Sequence, residues 1–302
     1  MSDYFPTEVK LASDFVQAIT RLHKQGLPRG SLTGWRSIDP YYTVMPGQWT
    51  LVTGIPGHGK SEWLDALLVN LAMQGWQFAI YSPENLPHEV HMAKVMEKYL
   101  AKPFGDGPTE RIQPSEMPRG MEFLDRHFGF VHVHESMRTV EIIVDACLRH
   151  FNAQIDAGRD GPFGIVLDPW NEFEHQREDR ESETEYISRT LSWIRNMARE
   201  WKNVHVFIVA HPAKLYRENG KLPVPKPYDI SGSAHWYNKA DNCITVWRDV
   251  QSTTNDVEIH IQKVRFKHIG KPGLVTLKYD KVTGRYSDMT VDEYARAYAD
   301  VD

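Results

Sequence analysis

The sequence predicts an α/β fold: a mostly parallel sheet flanked by helices, with a β-hairpin extension toward the carboxyl end. Three observations carry this. From Trp49 to Pro212, apolar runs of strand length alternate with segments of helical periodicity, the pattern of a parallel sheet covered on both faces. The first run, WTLVT, opens onto Gly54-x-x-x-x-Gly59-Lys60-Ser61 and then a helical pattern, which is the setting a phosphate-binding loop requires. Beyond His211 the alternation stops, and the last two β-rich runs, VEIHIQKVRF and GLVTLKYD, are joined by a Gly/Lys turn, so they are expected to pair at the sheet edge.

Composition sets the limits. At 302 residues with 41% hydrophobic and 11% aromatic content, the chain has ample apolar surface for one large domain or two small ones. No apolar run is long enough to cross a bilayer and the polar start MSDYFPTEVK is no secretory signal, so the expected place is cytoplasmic, or on a nucleoid, without a membrane. The net charge of −5 provides no global basic field, so any nucleic-acid contact must be local or repeated in an oligomer. Cys147 and Cys243 show no pairing or metal spacing and read as buried thiols of a reducing compartment.

Taken in order, residues 8–25 place Val9, Phe15, Val16, Ile19 and Leu22 near one helical stripe that Gly26 and Pro28 end. Residues 1–30 are thus a linker helix and turn, packed either on its own domain or on a neighbouring subunit, and residues 31–302 form the main domain. A turn-rich stretch leads to Gly47, the first strand and the helix with Trp63, Leu64, Leu67, Leu68 and Leu71. QFAIYS is a second strand, expected near the phosphate loop, and a helix follows from about Pro87 to Leu100. Residues 102–120, rich in proline and glycine, read as an irregular insert. FGFVHVH, GIVLD and VHVFIVA are the third to fifth strands, separated by the helices RTVEIIVDACLRHFNAQI and SETEYISRTLSWIRNMAREW.

The chemistry gathers at the strand ends. Gly54, Gly57 and Gly59 allow positive φ, bringing N–H groups toward phosphate oxygens; His58 lies among them in the same nucleotide-binding loop. Lys60 adds charge toward the β/γ-phosphates, Ser61 offers its hydroxyl to Mg²⁺, and the following helix turns its positive end to the same place. Asp168 ends the strand GIVLD, from which a carboxylate can hold Mg²⁺ beside Ser61; the other possibility is a turn aspartate. Pro169 occupies the next position, where a water-activating glutamate often stands, so the base must come from elsewhere. The best candidate is Glu84, at the end of the second strand in YSPEN, set against a solvated helix-start glutamate. His211 ends the fifth strand, where a polar group can touch the γ-phosphate, although a lone histidine is often structural. His88, His91, His132 and His134 pair with no carboxylate or cysteine pattern that favours a metal.

In this order GIPGHGKS, YSPEN, IVLDPW, FIVAHP, ISGSAHWYNKADN and IQKVRF resemble the RecA-type motor domain of DnaB-like replicative helicases, nearest the Twinkle and phage helicase-primase branch with histidine as γ-phosphate sensor. The resemblance covers roughly Ser31 to Tyr286. It implies a RecA-like P-loop NTPase fold and a ring, usually a homo-hexamer, that hydrolyses ATP or another nucleoside triphosphate with Mg²⁺ at subunit interfaces. It also implies translocation 5′ to 3′ on single-stranded DNA, with a primase, polymerase or loader as possible separate partners. Lys263 and Arg265 match positions from which a neighbouring subunit reaches the γ-phosphate. No primase-like domain precedes the motifs in this sequence, so primer synthesis is not expected of it.

Around the loop after His211, Lys214, Arg217, Lys221, Lys226 and Lys239 cluster where a central pore would meet phosphates; Lys221, Lys226 and Lys239 are the main DNA-binding candidates. Tyr228, Trp236 and Tyr237 either stack on bases or pack in the core. The acidic stretch NEFEHQREDRESETE is a poor DNA surface apart from Arg177 and Arg180. Two alternatives stay open: a RecA-like recombinase filament, and a regulatory P-loop ATPase that uses nucleotide only to switch assembly.

Overall fold

The computed structural model describes residues 9–134, 137–213, 215, 222–232, 234–290 and 293. Its centre is the sheet that the alternation predicts. The strands are β1 (Trp49–Thr53), β2 (Gln77–Tyr81), β3 (Phe128–Phe130), β4 (Phe163–Leu167), β5 (Val204–Val209), β6 (Asn242–Trp247), β7 (Asp256–Val264), β8 (Gly273–Tyr279) and β9 (Tyr286–Asp288). They lie in the order β3-β2-β4-β5-β1-β6-β7-β8-β9. The pairings from β3 through to β6 are parallel and those from β6 to β9 antiparallel. The β7–β8 hairpin therefore extends the sheet edge as expected, with β9 as a short strand beyond it. The second strand is not the immediate neighbour of the P-loop strand, because β4 and β5 lie between β2 and β1.

The helices are α1 (Val16–Gln25), α2 (Lys60–Ala72), α3 (His88–Leu100), α4 (Met117–His127), α5 (Val140–Asp156), α6 (Glu183–Glu200) and α7 (His235–Lys239). Alternate strand residues face opposite ways, and two cores result. Val52, Ile80, Val166 and Phe207 meet the apolar face of α2 on one side, while Leu51, Ile165, Val206 and Ile208 meet α5 and α6 on the other. Capping fixes where α6 begins: the Ser182 hydroxyl accepts from the Glu185 amide, and the Glu185 carboxylate accepts in return from the Ser182 amide.

Two stretches differ from the sequence pattern. The insert 102–120 contains the start of α4, which tolerates Pro118 because it lies in the first helical turn. Gly120 lets α4 close on α3, since a Cβ there would come within 2.6 Å of the Met96 sulfur. The third strand stops at Phe130 because its ladder partner β2 ends at Tyr81 and turns away at Ser82–Pro83, leaving residues 131–134 no strand to continue against.

After a single 3-10 turn, α1 runs with none of its residues buried. Phe15, Val16, Ile19 and Leu22 are 46%, 58%, 53% and 41% exposed, so its apolar stripe does not pack on its own domain. Among the described residues, no helix is long and apolar enough to cross a membrane.

Candidate active site

All six parallel strands point their carboxyl ends to one edge, and Lys60, Ser61, Glu84, Asp168 and His211 gather there, whereas Lys263 and Arg265 do not. β1 is wholly buried and delivers the chain into the loop 54–59, where Gly54, Gly57 and Gly59 have φ of 152°, 79° and 91°. At Gly54 any Cβ would also collide with the Val246 carbonyl oxygen of β6. α2 then starts at Lys60, whose ammonium reaches back to donate to the Ile55 carbonyl at 3.3 Å. Burial lowers the Lys60 pKa, against the opposing pull of Asp168 and Glu84.

His58 is buried, and burial, Arg248 and Lys60 together push its pKa down to about 4. The ring is neutral at physiological pH. Its Nδ1 accepts from the Arg248 amide at 3.3 Å, while the Arg248 guanidinium donates to the Gly57 carbonyl at 2.8 Å. His58 thus clips the loop to the end of β6.

Asp168 follows β4 and is 4% exposed. Its Oδ2 accepts from the Ser82 hydroxyl at 3.2 Å, whereas Oδ1 is buried without a hydrogen-bond partner. Burial raises its pKa to about 6, with the Ser61 and Ser82 hydroxyls pulling the other way. A buried carboxylate oxygen left without a donor is costly in isolation and is the kind of ligand Mg²⁺ takes, alongside one hydroxyl, waters and substrate phosphates. Ser61 and Asp168 fit that ion. Among the described residues no group of three or more His, Cys, Asp or Glu is placed to hold a metal by protein side chains alone.

Glu84 sits in the turn Pro83–Asn85 after β2, and its Oε1 lies 3.6 Å from His211 Nε2. That turn carries Glu84 to the cleft although β2 is three strand positions from β1. His211 continues from β5; its amide donates to Asn171 Oδ1 at 3.1 Å and its Nδ1 is buried without a partner. Burial first and then the Lys60 charge lower its pKa, with Glu84 opposing. The imidazole is therefore neutral near pH 7, able to donate one hydrogen bond and accept another.

Gly57, His58, Gly59, Lys60, Ser61, Glu84 and His211 all line one cleft of about 590 Å³. The sequence pattern did not assign other polar parts of its wall to the site, among them Asn85, Lys94, Arg248, Tyr279 and Tyr286. Arg248 directly follows β6 beside the P-loop strand, so its strand-end position is the signal that could have found it. The tyrosines come from β8 and β9, whose approach depends on the tertiary fold. A hydrogen-bond chain holds the Glu84 turn: Lys94 pairs with Glu62 at 2.8 Å and donates to Asn85 Oδ1 at 3.3 Å, and Asn85 donates to the Ser82 hydroxyl at 2.8 Å.

Lys263 and Arg265 do not join this cleft. Lys263 pairs with Cys243, which in turn pairs with Leu51 in the middle of β1, and the Arg265 amide donates to the Asp241 carbonyl, level with the amino end of β1, so neither stands at the carboxyl edge. Five residues of strand separate Trp49 from Gly54, about 17 Å at the usual rise. Their side chains share one side, as alternation predicts: Lys263 donates to the Tyr237 carbonyl at 2.5 Å, and Arg265 to those of Asn238, Lys239 and Ala240 at 3.1–3.3 Å.

Of the DNA-binding candidates, Lys221, with Lys214 and Arg217, lies outside the described residues. Lys226 is exposed. Lys239 differs from a free phosphate-seeking cation: its ammonium is turned into α6, donating to the Ser188 carbonyl at 2.5 Å and to the Ser188 and Ser192 hydroxyls at 2.7 and 2.5 Å. Trp236 is wholly buried and packs edge-on against Trp170, so it belongs to the core, whereas Tyr228 is 55% exposed.

Solved structures share this architecture. The ATPase domain of G40P superposes with a TM-score of 0.75 over 94% of this chain and 100% of that one, at 17% identity. A DnaB-like replicative helicase, described with its interactions with primase, gives 0.73 over 93% of this chain and 69% of the other, at 16% identity. The chain has the RecA-type fold of a DnaB-like helicase motor domain. In sequence it is 40% identical over 271 residues to the Twinkle homolog protein, chloroplastic/mitochondrial, of Arabidopsis thaliana, a match that covers 87% of this chain. The chain spans 37% of that relative's length. No protein-family model matches it.

Proposed function

We propose that this chain is the motor of an ATP-dependent replicative DNA helicase, which hydrolyses ATP or another nucleoside triphosphate and moves along single-stranded DNA. One observation carries the proposal: Lys60, Ser61, Glu84 and His211, with Asp168 behind them, arrive from four elements at a single cleft, and two of their buried polar atoms have no hydrogen-bond partner. The sequence relation to a Twinkle homolog favours this reading over a recombinase filament or a regulatory ATPase.

Each residue's part follows from its place. The loop amides and Lys60 bind and neutralise the phosphates, and Glu84 accepts a proton from the attacking water. Ser61 and Asp168 would hold Mg²⁺, which offsets charge on the phosphate oxygens. His211 lines the same cleft 3.6 Å from Glu84, so a hydrogen bond from it to the γ-phosphate would report whether that phosphate is present. Arg265, remote from its own cleft, serves the cleft of a neighbouring subunit, with Lys263 beside it. This requires a ring, for which a homo-hexamer is the expected form. The uncovered apolar stripe of α1 supports residues 1–30 as a segment docked on the next copy, with residues 31–302 as the motor domain. Lys221 and Lys226 would meet DNA phosphates in the pore, with primase, polymerase or loader as separate partners. The place of action is wherever the DNA replicates, in the cytoplasm of a bacterial or phage-infected cell or on a nucleoid.

Strand displacement on a forked DNA duplex tests the proposal. The wild-type chain should separate the strands only with hydrolysable nucleotide, and Lys60→Ala should not separate them at all. Hydrolysis without any response to single-stranded DNA, and without strand separation, would refute it.

A further inference from the structure

The described residues link the cleft physically to Arg265, the arginine assigned above to a neighbouring subunit's cleft. The link begins at His211. Pro212 pairs with Ile230 in an antiparallel bridge and the Ala213 amide donates to the Asp229 carbonyl at 2.6 Å. Next to these residues, Tyr228 stacks on Tyr237 of α7 with ring centroids 4.9 Å apart. α7 ends beneath the cation pair: the Lys263 ammonium lies 4.8 Å from the centre of the Tyr237 ring, and the last carbonyls of the helix accept from Lys263 and Arg265. Cations at a helix carboxyl end are favoured by its unpaired carbonyl oxygens.

Asp241 completes the seat. It is wholly buried, with Oδ1 at 2.7 Å from Arg265 Nε and 3.7 Å from Arg199 Nη2 of α6, while Oδ2 accepts from the Trp49 amide at 3.2 Å. Trp49 begins the P-loop strand, and its indole donates to the Lys239 carbonyl at 3.1 Å. The ion pair with Asp241 and the carbonyls at the end of α7 thereby hold Nε and Nη2 of Arg265 from within. A buried carboxylate facing two arginines is strongly committed to that geometry, because removing a partner leaves an uncompensated charge.

We propose that Asp241 and the carboxyl end of α7 are the positioning seat of Arg265, and that the strip from His211 through Tyr228 and Tyr237 sets where this arginine is presented to the neighbouring subunit. The proposal rests on the helicase reading above and adds a residue and a route to it. A packed chain of contacts is the material through which such coupling passes, and only a coupling measurement establishes it.

The test is a double-mutant cycle on DNA-stimulated ATP hydrolysis by the full chain, using Asp241→Asn, Arg265→Ala and the pair. Arg265→Ala should lower kcat roughly a thousandfold. Asp241→Asn, which keeps shape and removes charge, should lower kcat about a hundredfold, the cost of misplacing a catalytic group by about 1 Å. KM and the Kd for a fluorescent ATP analogue should stay within about twofold of wild type, since the variant's own P-loop is untouched. The pair should be no worse than Arg265→Ala alone. Multiplicative losses in the pair, or wild-type kcat for folded Asp241→Asn beside an inactive Arg265→Ala, would overturn the seat and leave the helicase reading standing. Full activity of Arg265→Ala would instead overturn the underlying assignment of the finger. If thermal unfolding shows that Asp241→Asn does not fold, Tyr237→Leu at a half-buried surface site takes its place. The same non-additive fall in kcat supports the proposal, and an additive one or none overturns it.

Discussion

Asp168→Asn should stabilise the metal-free protein while abolishing hydrolysis. The carboxyl is buried, its Oδ1 has no hydrogen-bond partner, and burial raises its pKa from 3.8 to about 6. A folded-state pKa above the unfolded one means the folded protein holds the proton more tightly. The carboxylate therefore costs no stability below the unfolded pKa, and the cost grows as pH rises until it is complete above the folded pKa. With these pKa values the full cost is roughly 3 kcal/mol at pH 7.5, falling to about 1.6 kcal/mol at pH 5 and about 0.5 kcal/mol at pH 4. Asparagine avoids the charge but still buries an amide, so a gain of about 1–2 kcal/mol is expected at pH 7.5, or about 1.5–3 °C in Tm for a chain of this size. The assay is thermal unfolding of both proteins in chelator at pH 7.5 and pH 4, with hydrolysis measured separately in Mg²⁺. The Tm advantage of the variant should nearly vanish at pH 4, and added Mg²⁺ with nucleotide should stabilise only the wild type strongly. A variant less stable than wild type at pH 7.5 without metal would refute the reasoning, since Asp168 would then be a structural partner and not a strained ligand.

Glu84→Gln should bind ATP with nearly wild-type affinity but hydrolyse it roughly two to four orders of magnitude more slowly; filter binding with single-turnover hydrolysis checks both, and wild-type turnover removes Glu84 as the base. Replacing Lys221 and Lys226 by alanine should weaken single-stranded DNA binding at every sequence and flatten the slope of log K against log salt by about 0.7 per lost phosphate contact, measured by fluorescence anisotropy. Adding Lys239→Ala should cost stability more than salt slope, because its ammonium is spent on Ser188 and Ser192. Ile19→Glu, on the exposed stripe of α1, should shift the assembly toward smaller species in analytical ultracentrifugation without changing the Tm of the monomer; an unchanged assembly places the docking elsewhere.

What the sequence made legible was whatever depends on order along the chain. A strand run ending in a polar residue declares which residue stands at the strand's carboxyl end, and a parallel sheet sends all those ends to one edge. Lys60, Asp168, Glu84 and His211 are therefore placed at one edge by their order along the chain. Arg248, Tyr279 and Tyr286 were not legible, since their place in the cleft depends on antiparallel strands folding back across β6. The alternation Lys263-Val264-Arg265 turns both cations to one side, but their capping of α7 is hidden in the sequence, because nothing local says which helix end a strand terminus will meet. Lys239 shows the opposite error, since a cation in a basic cluster looks solvated until the serines of α6 are packed beneath it. Pro118 and Gly120 concealed α4 for a similar reason: both break helices in isolation, while one sits in a permitted first turn and the other makes room for Met96.

A nucleotide site completed by a second chain is what separates a ring motor from an isolated ATPase, and complementation measures it directly. Arg265→Ala and Lys60→Ala proteins, each nearly inactive alone, are mixed, and subunit exchange is verified by energy transfer between labelled chains. In mixed rings some interfaces join an intact P-loop to an intact Arg265. Hydrolysis should then rise above that of either parent, and should peak at an intermediate mixing ratio. Wild-type hydrolysis by Arg265→Ala alone would contradict the shared site.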